Sequence, residues 1–402
     1  MHQPERSQDT PYFHQLNRLL TQHGEGTPHL IVDLDRLDAN LATLCHSVSR
    51  DTALRLVAKS LPCIGLLSYL SERLGSQSFM TFHLPFLMQL IEHFPDSNLL
   101  LGKPLPARAV QRAYERMHQH TNAFSPEEQL HWLVDTPARL NQYLTIAQKF
   151  GTRIAVTIEI DIGLHRGGVT DQTTLDVMLT TIRNHPKFLR FTGFMGYDAH
   201  VGKLPRVVES TQASYQRSQH QYQTYINYTR SYFPELWADN LILNGAGSPT
   251  IELHKNSSVC NDLSVGSALV KPSHFDLPLL TDYQPASFIA SPIIKQWSGM
   301  NLPGPEWISR LLQRLHPKHQ QTFFIYGGLW RADLIDARLR HNSLYGESAN
   351  QAILNGTSQL TLAPDDHIFW RPQESEAVFL QFGDVLAVRN GVLEARWPVL
   401  KH

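Results

Sequence analysis

Residues 53–60 read ALRLVAKS, an apolar, strand-like run that ends in one amine, Lys59. A leucine, a proline and a helical segment follow this stretch. In a parallel α/β barrel the reactive side chains lie at the carboxyl ends of the strands, so Lys59 stands where chemistry is expected. An amine beside apolar residues can attack a carbonyl carbon. A lysine at a strand end is more often a solvated side chain, however, so this residue needs support from the rest of the chain.

Similar apolar runs recur between residues 54 and 270, and stretches with helical periodicity separate most of them. The eight predicted strands are Leu54–Ala58, Phe79–Phe82, Leu99–Leu101, Trp132–Val134, Ile154–Ile160, Thr192–Tyr197, Leu241–Leu243 and Val265–Val270. The clearest predicted helices are Phe86–Phe94, Ala107–His118, Ala138–Phe150 and Thr173–Arg183. This alternation predicts an α/β fold of the (β/α)8 barrel type rather than an open sheet.

The flanking regions have different patterns. Residues 27–33 predict one strand, and residues 35–41 begin a helix with an acidic N-cap. After residue 276 the chain is rich in β-forming residues and has no regular helical pattern. The strands predicted there are Ser287–Lys295, Thr322–Tyr326, His367–Trp370, Ala377–Gln381, Asp384–Arg389 and Val392–Trp397, the last two joined by the hairpin signal Asn390-Gly391. We therefore predict an N-terminal arm at 1–26, a barrel domain at 27–275 and a C-terminal β-domain at 276–402.

Composition excludes several classes of protein. The 35 Lys and Arg residues nearly balance the 36 Asp and Glu residues, so no basic excess indicates a nucleic-acid partner. The three cysteines, Cys45, Cys63 and Cys260, are too few and too far apart for a disulfide framework or a zinc ribbon. No apolar stretch is long enough to span a membrane, and the first residues lack an apolar signal core. These features predict a cytoplasmic protein.

Two further predicted strand ends carry polar groups. Residues 159–169 pass from a strand into a glycine-rich loop that holds Arg166, whose fixed fork of donors suits an oxyanion. Tyr197 ends another strand, and His200 follows three residues later, so the two rings could face one pocket if the chain turns between them. Each motif alone also fits a simpler interpretation, a solvated arginine or a structural histidine.

A fourth strand end, at residues 244–250, reads NGAGSPT. Small residues leave backbone N–H groups accessible, Ser248 and Thr250 add hydroxyl groups, and a short helix could begin at Pro249. Barrels bind phosphate in this way after their seventh strand. An amine, a guanidinium, an aromatic–imidazole pair and a phosphate cradle together suit pyridoxal phosphate, which carries both an aldehyde and a phosphate.

With these motifs the chain resembles the fold type III pyridoxal-phosphate enzymes, the alanine racemase superfamily, and most of all the branch of D-threonine aldolases and D-serine dehydratases. The matching segments are 27–35, 57–60, 159–169, 193–200, 245–250 and 382–399. The resemblance implies a barrel followed by a β-domain. It also implies a homodimer whose active sites lie at the subunit interface and whose substrate is an amino acid.

The resemblance also assigns roles to single residues. Lys59 would form the Schiff base with the cofactor, and Arg166 would bond its phenolic oxygen. Tyr197 and His200 would lie beside the cofactor ring and take part in catalysis. The phosphate would be held by Gly247 and Ser248, with Thr250 in the same loop.

The sequence departs from the family near its C-terminal end. Aldolases and dehydratases of this branch carry a metal pair in a Pro-x-His setting, whereas this chain reads PQESE at residues 372–376. The loss of imidazole and thiolate ligands argues against zinc. Glu374 and Glu376, on one face of a strand, could hold Mg²⁺ or Mn²⁺ through oxygen, and a pair of solvated carboxylates is the alternative. Ser264 also stands where alanine racemases have an arginine.

We therefore predict a pyridoxal-phosphate-dependent lyase, an aldolase or a dehydratase, that acts on a β-hydroxy D-amino acid. Lys59, once released from the cofactor, would act as a general base on one face of the substrate. An amino-acid racemase is the alternative, and it would need a second acid–base group, for which Tyr326 and Tyr345 are candidates. A non-catalytic pyridoxal-phosphate carrier is a third reading, which the residues after 276 make less favourable.

Overall fold

The structure is a computed structural model that describes residues 7–49, 51–119, 123–201, 209–255, 258–301 and 303–401. The chain divides into two compact units. Residues 1–43 and 267–399 form the first unit, and residues 44–266 and 400–402 form the second. The first unit thus combines the two flanks of the chain, and the second contains the barrel.

The described strands, in chain order, are β1 (His29–Asp33), β2 (Ala53–Val57), β3 (Ser78–Thr81), β4 (Asn98–Leu101), β5 (Leu130–Val134), β6 (Ile154–Glu159), β7 (Leu189–Met195), β8 (Ile242–Gly245), β9 (Asp262–Val265), β10 (Ser287–Ser298), β11 (Gln321–Tyr326), β12 (Ala332–Leu334), β13 (Leu339–His341), β14 (Gln351–Gly356), β15 (His367–Pro372), β16 (Asp384–Arg389) and β17 (Val392–Pro398).

The described α-helices are α1 (Pro11–His23), α2 (Leu34–Ser47), α3 (Ile64–Leu74), α4 (Leu84–His93), α5 (Ala107–Met117), α6 (Pro126–Gln129), α7 (Pro137–Phe150), α8 (Gln172–Asn184), α9 (Thr211–Tyr232), α10 (Ser267–Val270), α11 (Glu306–Leu315) and α12 (Glu376–Phe379). Among them, no helix is long and apolar enough to cross a membrane.

The second unit is a closed barrel of eight strands, β2 to β9, each parallel to its neighbours. The predicted (β/α)8 barrel is therefore confirmed, and each strand lies within a few residues of its predicted position. The last strand shows the largest shift, because it ends at Val265 and residues 267–270 form the short helix α10. A short apolar run does not by itself distinguish a strand from a buried helix, which explains this error.

Polar side chains fill part of the barrel interior. We call this group the interior polar layer, and it consists of Arg55, Asn98, His131, Asn244 and Asp262. Arg55 lies 2.7 Å from the Asp262 carboxylate and donates to the Asn98 side-chain oxygen at 2.9 Å. Removing an ion pair from water is costly unless further hydrogen bonds satisfy both charges, and here the neighbouring strands supply those bonds.

The first unit contains a sheet of nine described strands. Its longest path runs β13-β14-β11-β10-β1-β16-β17, and β15 pairs with β10 and β12. The strand predicted at 27–33 is present as β1, but it pairs antiparallel with β10 and parallel with β16 instead of joining the barrel. Helix α1 buries Phe13 and Leu16 in the same core cluster as Ile31 and Phe288.

Several details in the flanks differ from the sequence predictions. The hairpin at Asn390-Gly391 is confirmed, with φ angles of 48° and 71° between β16 and β17. The strand predicted at 377–381 is wrong, because this segment begins in helix α12. The expectation of no regular helix after residue 276 is also wrong, since α11 spans Glu306–Leu315. Its sequence has apolar residues at 307, 311 and 315, a helical spacing that was overlooked.

Candidate functional site

Lys59 lies just past the carboxyl end of β2, where the chain turns. The N–H groups of Ser60 and Leu61 both donate to the carbonyl of Val57, at 3.0 and 3.2 Å. The lysine is partly exposed, and its Nζ lies 4.5 Å from the ring centroid of Phe82, which follows β3. An ammonium group is attracted to the face of an aromatic ring at this distance. The amine is therefore held at the carboxyl end of the barrel.

Gly266 connects this turn to the loop that was predicted to bind phosphate. A Cβ atom at Gly266 would lie 2.7 Å from the Cβ atom of Ser60, so the two backbones pack closely. The N–H group of Gly266 donates to the Ser248 hydroxyl at 3.3 Å. Because β2 pairs with β9, and Gly266 directly follows β9, the barrel register itself brings Ser248 towards the Lys59 turn.

The loop at residues 246–250 packs against Tyr197. A Cβ atom at Gly247 would lie 2.6 Å from the Tyr197 Cε2 atom, so the contact requires glycine. The N–H groups of Thr250 and Ile251 both donate to the Gly247 carbonyl at 3.0 Å. The predicted short helix is a 3-10 helix over Ile251–Lys255, and it begins two residues later than expected.

Asp198 organises this part of the barrel, and the sequence analysis gave it no role. Its carboxylate accepts a hydrogen bond from the Thr250 hydroxyl at 2.6 Å and lies 3.0 Å from His254 Nε2. The other ring nitrogen of His254 lies 2.8 Å from the Ser258 hydroxyl. Asp198 and Thr250 are fully buried. The Thr250 hydroxyl therefore ties the loop to the Tyr197 segment, whereas the sequence prediction placed it on the phosphate.

Arg166 lies in the glycine-rich loop after β6, with its guanidinium carbon 5.1 Å from the Tyr197 ring centroid. The Asp161 carboxylate shapes this loop by accepting hydrogen bonds from the N–H groups of Gly163 and His165, at 2.9 and 3.1 Å. Gly168 has a φ of 91°, and a Cβ atom there would lie 2.6 Å from the Asp161 nitrogen. Only glycine fits this close approach of two backbone segments.

Glu159, the last residue of β6, is the most perturbed acid near the site. Burial raises its pKa to about 7, the neighbouring Asp135 carboxylate adds to the shift, and the Arg166 guanidinium opposes it. A carboxyl group with this pKa is partly protonated near neutral pH. Glu159 was part of the quoted motif but was not identified as a site residue.

His200 has different neighbours from Tyr197. Its Nε2 atom lies 3.1 Å from the Ser218 hydroxyl on α9, and a Cβ atom at Gly163 would lie 2.7 Å from the same nitrogen. Burial lowers the pKa of His200, which favours the neutral ring. The structure thus brings Lys59, Ser248, Gly247, Tyr197 and Arg166 into one chain of contacts, and it places the His200 ring between the Arg166 loop and α9.

The metal prediction required Glu374 and Glu376 to lie on one face of a strand. Neither residue lies in a strand. Strand β15 ends at Pro372, and Glu376 is the first residue of α12. One carboxylate oxygen of Glu374 accepts a hydrogen bond from the N–H group of Ala377 at 3.3 Å. Within the residues that the structure describes, no group of three His, Cys, Asp or Glu side chains is arranged to hold a metal ion.

The contact chain around Lys59 fits a cofactor that carries an aldehyde and a phosphate. Lys59 offers the amine, the loop at 246–250 leaves room for the Tyr197 ring because position 247 is glycine, and Arg166 is a permanent cation beside that ring. A closed parallel barrel with a lysine after its first strand, together with a largely antiparallel sheet, is the architecture of the alanine racemase fold.

The family model for the alanine racemase N-terminal domain matches residues 32–274. Since this is more than half of the chain, the protein belongs to the alanine racemase N-terminal domain family. No curated protein sequence matches the chain.

Solved structures with the same fold share little sequence with it. D-threonine aldolase from Filomicrobium marinum is 18% identical, with a TM-score of 0.69 over 93% of this chain and 97% of that protein. D-threo-3-hydroxyaspartate dehydratase from Delftia sp. HT23 is 16% identical, with a TM-score of 0.69 over 94% and 98%. Alanine racemase from Bacillus anthracis is 11% identical, with a TM-score of 0.69 over 92% and 97%. At these identities the similarity shows the fold.

Proposed function

We propose that the protein is a pyridoxal-phosphate-dependent lyase that acts on a β-hydroxy D-amino acid. The observation that carries this proposal is the contact chain from the Lys59 turn through Gly266 and Ser248 to Gly247 and Tyr197. It places an amine and a glycine-containing loop at the same end of the barrel. Family membership supports the choice of cofactor, and the aldolase and dehydratase structures with the same fold support the choice of a lyase.

The described side chains suggest how the cofactor would be held. Lys59 would bind its aldehyde covalently, Gly247 and Ser248 would hold the phosphate, and Tyr197 and His200 would lie near the ring. Arg166 would donate to the phenolic oxygen. When bound, pyridoxal phosphate supplies an electron sink that lowers the energy of breaking a bond at the substrate Cα.

Protons would be moved by the protein. Lys59, when its amine is free, would act as a general base from the side of the barrel where Phe82 lies. Glu159, with its pKa raised to about 7 by burial and by Asp135, would in its ionised form attract the guanidinium of Arg166. Cleavage of a β-hydroxy amino acid also requires a group that activates the side-chain hydroxyl, and we propose His200 for this role.

Metal use and assembly belong to the same proposal. Glu374 and Glu376 would be oxygen ligands suited to Mg²⁺ or Mn²⁺ rather than zinc, but they do not share the strand face that such a pair requires. By resemblance to its family the protein would act as a homodimer. The proposed role of Lys59 depends neither on a metal nor on a homodimer, so it stands if either of these proposals is wrong.

Borohydride reduction tests the covalent link. The protein mixed with pyridoxal phosphate should show a visible absorption band that borohydride abolishes, and peptide mapping should locate the label on Lys59. The variant Lys59→Ala should lose both the label and all turnover. Lys103→Ala is the matched control, because Lys103 is an exposed lysine that follows β4 at the same end of the barrel. A colourless protein, or full turnover by Lys59→Ala, would contradict the proposal.

Substrate assays separate the candidate reactions. D-threonine and D-serine should be cleaved, and activity with and without EDTA shows whether a metal is required. Chiral analysis of alanine and serine detects the racemase alternative. Inversion without cleavage would replace the lyase by a racemase, and cofactor binding without turnover of any amino acid would leave a carrier protein.

A further inference from the structure

A cavity of about 440 Å³ opens at the amino-terminal end of barrel strands β5 to β8. Its walls include His131 in β5, Arg153 just before β6, Arg190 in β7 and Ile242 in β8, and α8 adds Arg183. Lys59 follows the carboxyl end of β2, so this cavity lies at the opposite end of the barrel. Its volume is in the range of small-molecule binding sites.

The protonation of His131 follows from its neighbours in the interior polar layer. Asn98 accepts a hydrogen bond from Arg55 through its side-chain oxygen at 2.9 Å, so its amide nitrogen faces His131 Nε2, at 2.9 Å. His131 Nε2 is therefore the acceptor. Burial, together with the positive charges of Arg55 and Arg190, lowers the pKa of His131 to about 3. The ring is neutral, and its one N–H group is at Nδ1.

Three N–H donors of the cavity wall are buried without a hydrogen-bond partner among the described residues. They are His131 Nδ1, Arg153 Nε and Arg190 Nε. His131 is only 4% exposed. A buried donor without a partner costs about 1–3 kcal/mol. Three such donors around one cavity are therefore unexpected unless something in the cavity accepts their hydrogen bonds.

The charges near the cavity favour an anion as that acceptor. At its rim, Arg183 lies 3.6 Å from Glu235. Arg190 Nη2 lies 3.4 Å from the largely exposed Glu128 carboxylate, and the same nitrogen donates to the Glu127 backbone carbonyl at 2.6 Å. The guanidinium of Arg153 makes no hydrogen bond or ion pair to a described residue, and the Glu127 carboxylate accepts the Arg153 backbone N–H group at 2.9 Å.

We propose that this cavity binds a small oxyanion, a phosphate or a carboxylate group, through His131, Arg153 and Arg190. A phosphate or carboxylate group offers several acceptor oxygens to such donors and offsets the guanidinium charge. A guanidinium group matches either kind of oxyanion through paired hydrogen bonds. The site does not depend on the chemistry at Lys59, since it lies at the other end of the barrel.

Isothermal titration of the protein saturated with pyridoxal phosphate tests the site. Saturation keeps the added anion away from the loop at 246–250. Inorganic phosphate and succinate are titrated separately at constant ionic strength, with chloride as the background, so the two arms show which oxyanion is preferred. Binding of either, with an affinity that falls as salt is raised, is the expected result. Absence of binding by both at millimolar concentration would overturn the proposal.

Two variants locate the binding. Arg153→Met keeps the length of the side chain but removes the charge and the donors, and it should weaken binding about tenfold or more. Arg112→Met is the matched control, because Arg112 is an exposed residue on α5 that pairs with Glu115. Unchanged affinity in Arg153→Met would place the anion elsewhere and refute the site. If this variant does not fold, Arg183→Met at the exposed rim gives the same test with a smaller expected loss.

Discussion

The variant Asp198→Ala tests how the loop at 246–250 is held in place. The Asp198 carboxylate accepts the Thr250 hydroxyl at 2.6 Å and lies 3.0 Å from His254 Nε2. Thr250 is fully buried and His254 is 5% exposed. Alanine would leave a hydroxyl and an imidazole nitrogen buried without this partner. Each such group costs about 1–3 kcal/mol, so we expect the free energy of unfolding to fall by about 2–6 kcal/mol.

Urea unfolding, followed by circular dichroism, measures this loss. Asp198→Asn keeps the shape of the side chain and one acceptor oxygen, so its loss should be smaller. Pyridoxal phosphate affinity is measured in parallel, and it should fall because the loop that includes Gly247 and Ser248 loses its anchor. Glu115→Ala, at an exposed ion pair, is the control and should unfold like the native protein. A loss below about 1 kcal/mol in Asp198→Ala would refute the reasoning on stability, whatever the cofactor does.

Two further predictions concern Gly247 and Glu159. Gly247→Ala places a Cβ atom 2.6 Å from the Tyr197 ring. It should lower the free energy of unfolding in urea by about 1–3 kcal/mol and weaken cofactor binding. Gly167→Ala is the control and should be tolerated, because its Cβ atom would meet its nearest neighbour at 3.6 Å. The pKa of Glu159 is raised from 4.5 to about 7, so the folded protein should lose stability as pH rises between these values. In the native protein the free energy of unfolding should be about 3 kcal/mol lower at pH 8 than at pH 5. Glu159→Gln should remove this difference. The same difference in both proteins would contradict the prediction.

The barrel could be predicted from sequence because parallel strands are buried on both faces and appear as continuous apolar runs. The strand pairing of the flanking regions was harder to predict, because the paired strands lie far apart along the chain. Nothing near residues 29–33 indicates that β1 pairs with β10 and β16, more than 250 residues away. Helix α12 was mistaken for a strand because four residues carry too little periodicity to distinguish the two.

The site was predictable to a similar degree. Lys59, Arg166, Tyr197 and Gly247 all follow strand ends, and the closed barrel brings strand ends together. Their roles toward a cofactor stay predictions, while their proximity is a property of the fold. Asp198 was missed because its importance comes from burial beside Thr250 and His254, which no local pattern indicates.

The position of β1 also has a consequence for the order in which a growing polypeptide folds. All eight barrel strands have left the ribosome once residue 265 has emerged. Strand β1, in contrast, is hydrogen-bonded on both edges only after β16, which ends at residue 389, has been made. During translation an apolar segment near the amino terminus is thus exposed the longest, where chaperones would bind it. Nascent chains stalled before residue 384 should leave this segment open to proteases while the barrel resists them.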